Sequence, residues 1–256
     1  MSKHSRIPHH HYKEASKNYH SAFFHSGDYE SWQLDIIMKH LDISENDRLL
    51  DLGGGTGRFA SLVYDKGGLK YPVTCVDPSQ DMLQQTKKFE GVVAICSDAL
   101  EFCQSKNDIV YDRILMKEVV HHLDEEYLKT IFSALLNKLI KDGKLIICTR
   151  PQDVEYPFFQ EAHAVWRKNQ PPKEHYVALL QQSGFSVSSV SVHEYPVSLD
   201  MNWWITMIRN RFWSTFSEFD DEKIEKGIIE IKEKFAQSNF LQFSEKYVVI
   251  IAQKKF

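Results

Sequence analysis

At 256 residues, with 43% apolar and 26% charged side chains, the chain is long enough for one well-cored domain and too short for two ordinary ones. Those proportions exclude wholesale disorder, and a net charge of −4 with no Lys/Arg stripe leaves no phosphate footprint for a nucleic-acid partner. Apolar runs such as Val248 to Ala252 cannot span a bilayer and the N-terminus shows no apolar leader, so a cytoplasmic protein without membrane insertion is expected.

Residues 1–45 mix aromatics (Tyr12, Tyr19, Phe23, Phe24, Tyr29, Trp32) with seven of the 12 histidines, six of them before residue 26, and read as a polar N-terminal cap segment. No Cys or Asp sits at ligand spacing beside those histidines, so no metal is expected. From residue 46 onward, short β-rich runs alternate with helical patterns, the signature of a parallel sheet with helices on both faces. Arg48 to Leu52 reads as a first buried strand. A glycine-rich turn and a helix with Phe59, Leu62 and Val63 on one face follow. Val73 to Asp77 is a second strand ended by Pro78, Val92 to Cys96 a third, and Tyr111 to Met116 a fourth.

Asp124 is placed to cap the next helix, in which Leu128, Ile131, Phe132, Leu135, Leu136 and Leu139 recur at helical spacing and which Gly143 is expected to stop. Lys144 to Thr149 is a fifth strand. A helix around His175 to Gln182 feeds an alternating strand near Val187 to Val192, and Tyr247 to Ala252 is the last strand. Residues 198–244 interrupt the alternation with two expected helices. One holds Trp203, Met207, Arg211 and Trp213; the other lines up Ile224, Ile228, Ile231 and Phe235. The expected organisation is a single domain, with an α/β core in 46–197 and 245–256 and a helical cap in 198–244. Cys75, Cys96, Cys103 and Cys148 have no C-x-x-C spacing and read as free thiols, most in core positions.

The chemistry concentrates in Asp51-Leu52-Gly53-Gly54-Gly55-Thr56-Gly57, between a strand and a helix. Glycines there let the backbone turn tightly beside a ligand, and the helix start offers free N–H groups. A dinucleotide fingerprint beginning at Gly53 would need Gly or Ala at position 58, which is Arg58. Asp51 at the mouth of the loop would repel a pyrophosphate and attract an ammonium or sulfonium. Asp77, 20 residues beyond Gly57 at the tip of the second strand, is placed for ribose hydroxyls; its alternative is an ordinary turn residue before Pro78.

This pattern resembles the class I S-adenosylmethionine-dependent methyltransferases, specifically the ubiquinone/menaquinone-methyltransferase-like (type 11) branch, over roughly residues 45–195 plus the final strand. The resemblance implies a doubly wound, Rossmann-like sheet of seven strands, mostly parallel with the last antiparallel, and S-adenosylmethionine as cofactor. Asp51, Gly53 and Gly55 would hold its methionine end and Asp77 its ribose, with Pro78, Ser79 and Met82 along the adenine. In Cys96-Ser97-Asp98-Ala99, Asp98 would accept from the adenine amino group. Met116 to Leu123 resembles the loop after strand four, which often ends in a His pair in this branch. The three consecutive glycines and Thr56 are a mild variant, and no Asn/Asp-Pro-Pro-Tyr motif occurs.

Several roles stay open at this stage. His121 and His122 are candidates for proton abstraction from the acceptor, or for capping the following helix. Trp203 and Met207 line an acceptor pocket or merely pack; Arg211 binds an acidic group or is solvated. Tyr19 and Phe23 are candidates for a lid over the cofactor. An aromatic cap suits a small organic methyl acceptor. The rivals are an RNA or protein acceptor and a non-catalytic cofactor-binding regulator. Monomer and homodimer are both left open.

Overall fold

The computed structural model describes residues 27–105 and 109–255. Helix α1 (Gly27–Leu41) leads into β1 (Leu49–Leu52), α2 (Arg58–Gly67), β2 (Val73–Asp77), the short α3 (Gln80–Leu83) and β3 (Val92–Cys96). Next come α4 (Ala99–Gln104), β4 (Tyr111–Lys117), a 3-10 turn at Val120–His122, α5 (Glu125–Lys138) and β5 (Leu139–Thr149). Helices α6 (Gln160–Asn169) and α7 (Lys173–Gln182) precede β6 (Ser186–Asp200). Helices α8 (Met201–Arg209) and α9 (Asp221–Lys234) then separate β6 from β7 (Phe240–Gln253).

The seven strands form one sheet in the order β3-β2-β1-β4-β5-β7-β6. Neighbours from β3 to β5 are parallel, and β7 is antiparallel to both β5 and β6. The expected doubly wound fold, with its last strand antiparallel, is what the chain adopts.

Strand alternation divides the core in two. Leu50, Leu52, Ile114, Met116, Leu145, Ile147, Val248 and Ile250 pack against α4, α5 and α7. Leu49, Leu115, Ile146, Cys148, Val249 and Ile251 face α1 and α2. Each fully buried Leu, Ile or Phe contributes about 1.5–3 kcal/mol of hydrophobic stabilisation, so both faces are needed to offset the entropy of ordering the chain. A third cluster lies beyond the carboxyl edge, where Trp204, Ile208, Phe216, Ile224, Ile228 and Leu241 join α8, α9 and the far ends of β6 and β7.

Four expectations shift. Helix α5 stops at Lys138 rather than at Gly143; Leu139 already pairs with Tyr111, and the chain turns at Asp142 with φ 63°. Asp124 holds the N-cap position of α5 without a side-chain cap bond. Strands β6 and β7 continue as a twisted ribbon from Ser186↔Gln253 to Asp200↔Phe240, so the helical cap occupies 201–239 within the anticipated 198–244. Cys96 is exposed because β3 is the sheet edge, while Cys103 is buried on α4. Tyr19, Phe23 and the histidines before residue 26 lie outside the described residues. The described part of the N-terminal segment packs Tyr29 and Trp32 against Tyr195, and Trp32 against Tyr247.

Candidate active site

Ligands of doubly wound sheets sit at the carboxyl ends of the strands, where neighbouring connections leave to opposite faces. Here that place lies between β1 and β4, and the glycine loop opens over it. Gly53 has φ 81° and its N–H donates to the Val76 carbonyl at 2.7 Å. A Cβ on Gly53 would run into Val119, so the loop after β1 and the loop after β4 touch only because residue 53 has no side chain. Gly55, with φ 57°, faces open space, which leaves its backbone accessible to a ligand.

The two acids frame that opening. Asp51 is 2% exposed, and its Oδ1 has no hydrogen-bond partner. A buried carboxylate oxygen without a donor is costly, so the geometry fits a cationic ligand group arriving from the loop side. Burial pushes the Asp51 carboxyl up to about 7, with Asp77 adding to the rise and Lys117 opposing it. Asp77 caps the tip of β2, accepting from the Gly55 N–H at 3.0 Å and the Ser79 N–H at 2.8 Å. It thereby holds the loop and the start of α3 together while presenting acceptor oxygens at the edge.

Pro78 follows directly, Ser79 caps α3 by accepting from the Met82 N–H at 3.3 Å, and Met82 is buried beneath. Asp98 is the N-cap of α4 and accepts from the Glu101 N–H at 2.9 Å, so one carboxylate oxygen serves the fold; Ala99 begins that helix and is buried. Arg58, the residue that breaks the dinucleotide fingerprint, forms a two-armed pair with Glu30 at 2.7 and 2.6 Å and ties α1 to the loop.

His121 and His122 adjoin in the 3-10 turn after β4, with ring centroids 3.8 Å apart and planes tilted by 58°, beside the Val119 contact to Gly53. His121 Nδ1 lies 3.4 Å from the Thr149 hydroxyl at the end of β5. Both are partly exposed at the sheet's carboxyl edge, where a base could meet an acceptor.

The cap residues distribute differently from expectation. Helix α8 ends at Arg209, so Arg211 and Trp213 follow it rather than ride on it. Arg211 has φ 50° and spends its guanidinium on Asp221 at 2.7 Å and the Phe219 carbonyl at 3.0 Å, which ties the cap to itself. Trp204, not Trp203, is the anchor: it is fully buried and donates to the Pro157 carbonyl at 2.8 Å. Met207 is buried with it, while Trp203 is half-buried at the margin.

Residue spacing missed a buried polar cluster between loop and cap. Arg150, just past β5, donates to Glu118 at 3.0 Å and also engages Glu245 of β7 and the Tyr156 hydroxyl. Tyr156 in turn donates to Glu245 at 2.6 Å. The available signal was a charge embedded in an otherwise strand-like run, Glu245 before Tyr247 to Ala252.

Comparison with known proteins bears on this geometry. Residues 49–143 match the methyltransferase domain family. An uncharacterised methyltransferase of Staphylococcus carnosus strain TM300 is 27% identical over 114 residues, 43% of this chain and 51% of that protein. The demethylmenaquinone methyltransferase of Staphylococcus aureus strain JH9 is 25% identical over 163 residues, 59% of this chain and 65% of that one. The chain thus spans between half and two thirds of these curated relatives. A solved S-adenosylmethionine-dependent methyltransferase from Archaeoglobus fulgidus superposes with a TM-score of 0.57 at 21% identity, covering 90% of this chain and 95% of that one. Residues 49–143 are thus similar in sequence to a methyltransferase domain, and the chain as a whole shares the fold of that solved enzyme. Among the described residues no helix is long and apolar enough to cross a membrane.

Proposed function

We propose that the protein is a methyltransferase that binds S-adenosylmethionine in the glycine loop and methylates a small organic molecule held under the 201–239 cap. The observation that carries this reading is the Asp51 carboxylate, buried with one oxygen unpaired beside an accessible glycine backbone. Asp51 with the close backbone of Gly53 and Gly55 would hold the amino-acid end, Asp77 the ribose, and Met82 with Ala99 the adenine side. When bound, the cofactor supplies an activated sulfonium methyl whose in-line displacement asks chiefly for alignment and exclusion of water. His121 and His122 stand where they can take a proton from an acceptor that arrives protonated. Cofactor labelled in its methyl group, incubated with the protein and a metabolite extract, should yield one dominant labelled small molecule. Label appearing only in RNA or protein would replace the acceptor class.

Two expectations follow from the geometry. An ammonium group pairs with the ionised form of Asp51, so binding below pH 7 must expel a proton. S-adenosylhomocysteine affinity should therefore fall by about tenfold per pH unit below about 7, as one carboxylate titrates. Calorimetry at pH 6 in buffers of different ionisation enthalpy should register close to one proton released. A flat affinity from pH 5.5 to 8 would remove Asp51 from the contact.

Trp203 tests the cap. Its ring at the start of α8 is only half-buried, unlike that of Trp204, so Trp203→Ala should fold and raise the acceptor KM. Cofactor affinity should move less than about threefold, under 1 kcal/mol. Wild-type kinetics in this variant would move the acceptor towards the His121/His122 turn.

A further inference from the structure

The sheet face under α1 and α2 is largely apolar, yet two side chains of opposite charge share it. Asp51 stands in register with Leu115 across the parallel β1–β4 pair, and Lys117 lies two residues beyond Leu115, so both project to the same side. Cys148, the partner of Lys117 in β5, shares that face. From α2, the Phe59 ring covers the ammonium, with its centroid 4.9 Å from Nζ. A methionine of similar reach would fill this space without desolvating a charge. The charged groups acting on the pair are Glu118 and Arg150 at the end of β4 and β5, and Asp77 at the end of β2. Cys75 of β2, Cys148 of β5, Tyr247 of β7 and Tyr29 of α1 also face this region, and burial raises all four, leaving them neutral.

We propose that Lys117 is a positioning residue for the cofactor, a counter-charge on the same sheet face that favours the ionised form of Asp51 and so readies it for the ligand's ammonium. The proposal rests on the S-adenosylmethionine reading of the loop. Burial disfavours the Lys117 ammonium, while Glu118 on one side and Asp51 on the other favour it, so Lys117 and Asp51 support each other's ionised forms. Without it, Asp77 and the apolar surroundings would hold the Asp51 proton to a higher pH, and binding would have to expel it.

The test compares wild type with Lys117→Met and Lys117→Arg. S-adenosylhomocysteine should bind Lys117→Met at least tenfold more weakly at pH 7.5, with the gap closing by pH 9, while Lys117→Arg stays within threefold. Carbon-13 NMR of the Asp51 carboxyl in the ligand-free protein should titrate at least one pH unit higher in Lys117→Met. Should that variant fail to fold, Lys117→Gln makes the same comparison. Equal binding at every pH, a loss constant across pH, or an unmoved Asp51 titration overturns the role of Lys117. Wild-type protein that binds no S-adenosylhomocysteine at any pH overturns the cofactor reading instead, and the NMR titration still decides on Lys117.

Discussion

Replacing Arg150 with methionine is expected to cost the fold about 3–5 kcal/mol, the scale of stripping one partner from a buried ion pair. Its guanidinium is 7% exposed and meets Glu118 on one side and the fully buried Glu245 on the other, with Tyr156 closing the ring. These groups come from the end of β4, the end of β5, the β7 arm of the ribbon and the segment entering the cap, so one cation fastens the cap to the core. Methionine fills the volume but leaves two carboxylates without their cation. Against a domain stability of roughly 5–15 kcal/mol, such a loss is a large fraction of the whole. Urea denaturation should show the midpoint fall, and the double variant Arg150→Met/Glu245→Gln should recover part of it, because the second change removes an orphaned charge. A loss under about 1 kcal/mol would mean that solvent already screens the cluster.

Asp77→Ala should weaken S-adenosylhomocysteine binding by about 1.5–3 kcal/mol, roughly tenfold to 150-fold, the worth of hydrogen bonds to a charged acceptor. Two losses combine. The ribose hydroxyls lose their acceptor, and the Gly55 and Ser79 N–H groups lose the carboxylate that holds the loop beside α3. Asp77→Asn keeps an acceptor oxygen for one of those N–H groups and should fall between alanine and wild type. The melting temperature separates the contributions, since loop disorder lowers it in the ligand-free protein and ribose contact does not. An unchanged dissociation constant in a folded Asp77→Ala protein would reduce Asp77 to a turn residue.

Much of the core was legible because its signals are local. Val73 to Asp77 and Val92 to Cys96 were read to the residue, since β-rich runs ended by Pro78 or by a polar turn leave little choice of boundary. Asp51 and Asp77 were legible because each is tied by a few residues to a glycine loop or a strand tip. Other features depend on partners distant in sequence. The ribbon from Tyr195 to Asp200 alternates polar and apolar residues that settle as strand only when β7 pairs with them. Arg150 and Glu245 lie 95 positions apart, so no spacing could join them. Arg211 was misplaced for a local reason: α8 ends at Arg209, Asn210 caps it, and a left-handed turn at residue 211 swings its side chain back to Asp221 without a glycine to announce the change. Lys117 stood in plain view within Met116 to Leu123, but its relation to Asp51 emerges only from the register of β1 with β4.

Calorimetric titration of the purified protein with S-adenosylhomocysteine and, separately, with NAD tests the central claim most directly, because both ligands suit a glycine loop at a strand–helix junction and only one brings an ammonium to Asp51. Micromolar binding of S-adenosylhomocysteine at pH 8, with no measurable heat from NAD, is the predicted result. Tight NAD binding with none of S-adenosylhomocysteine would contradict it.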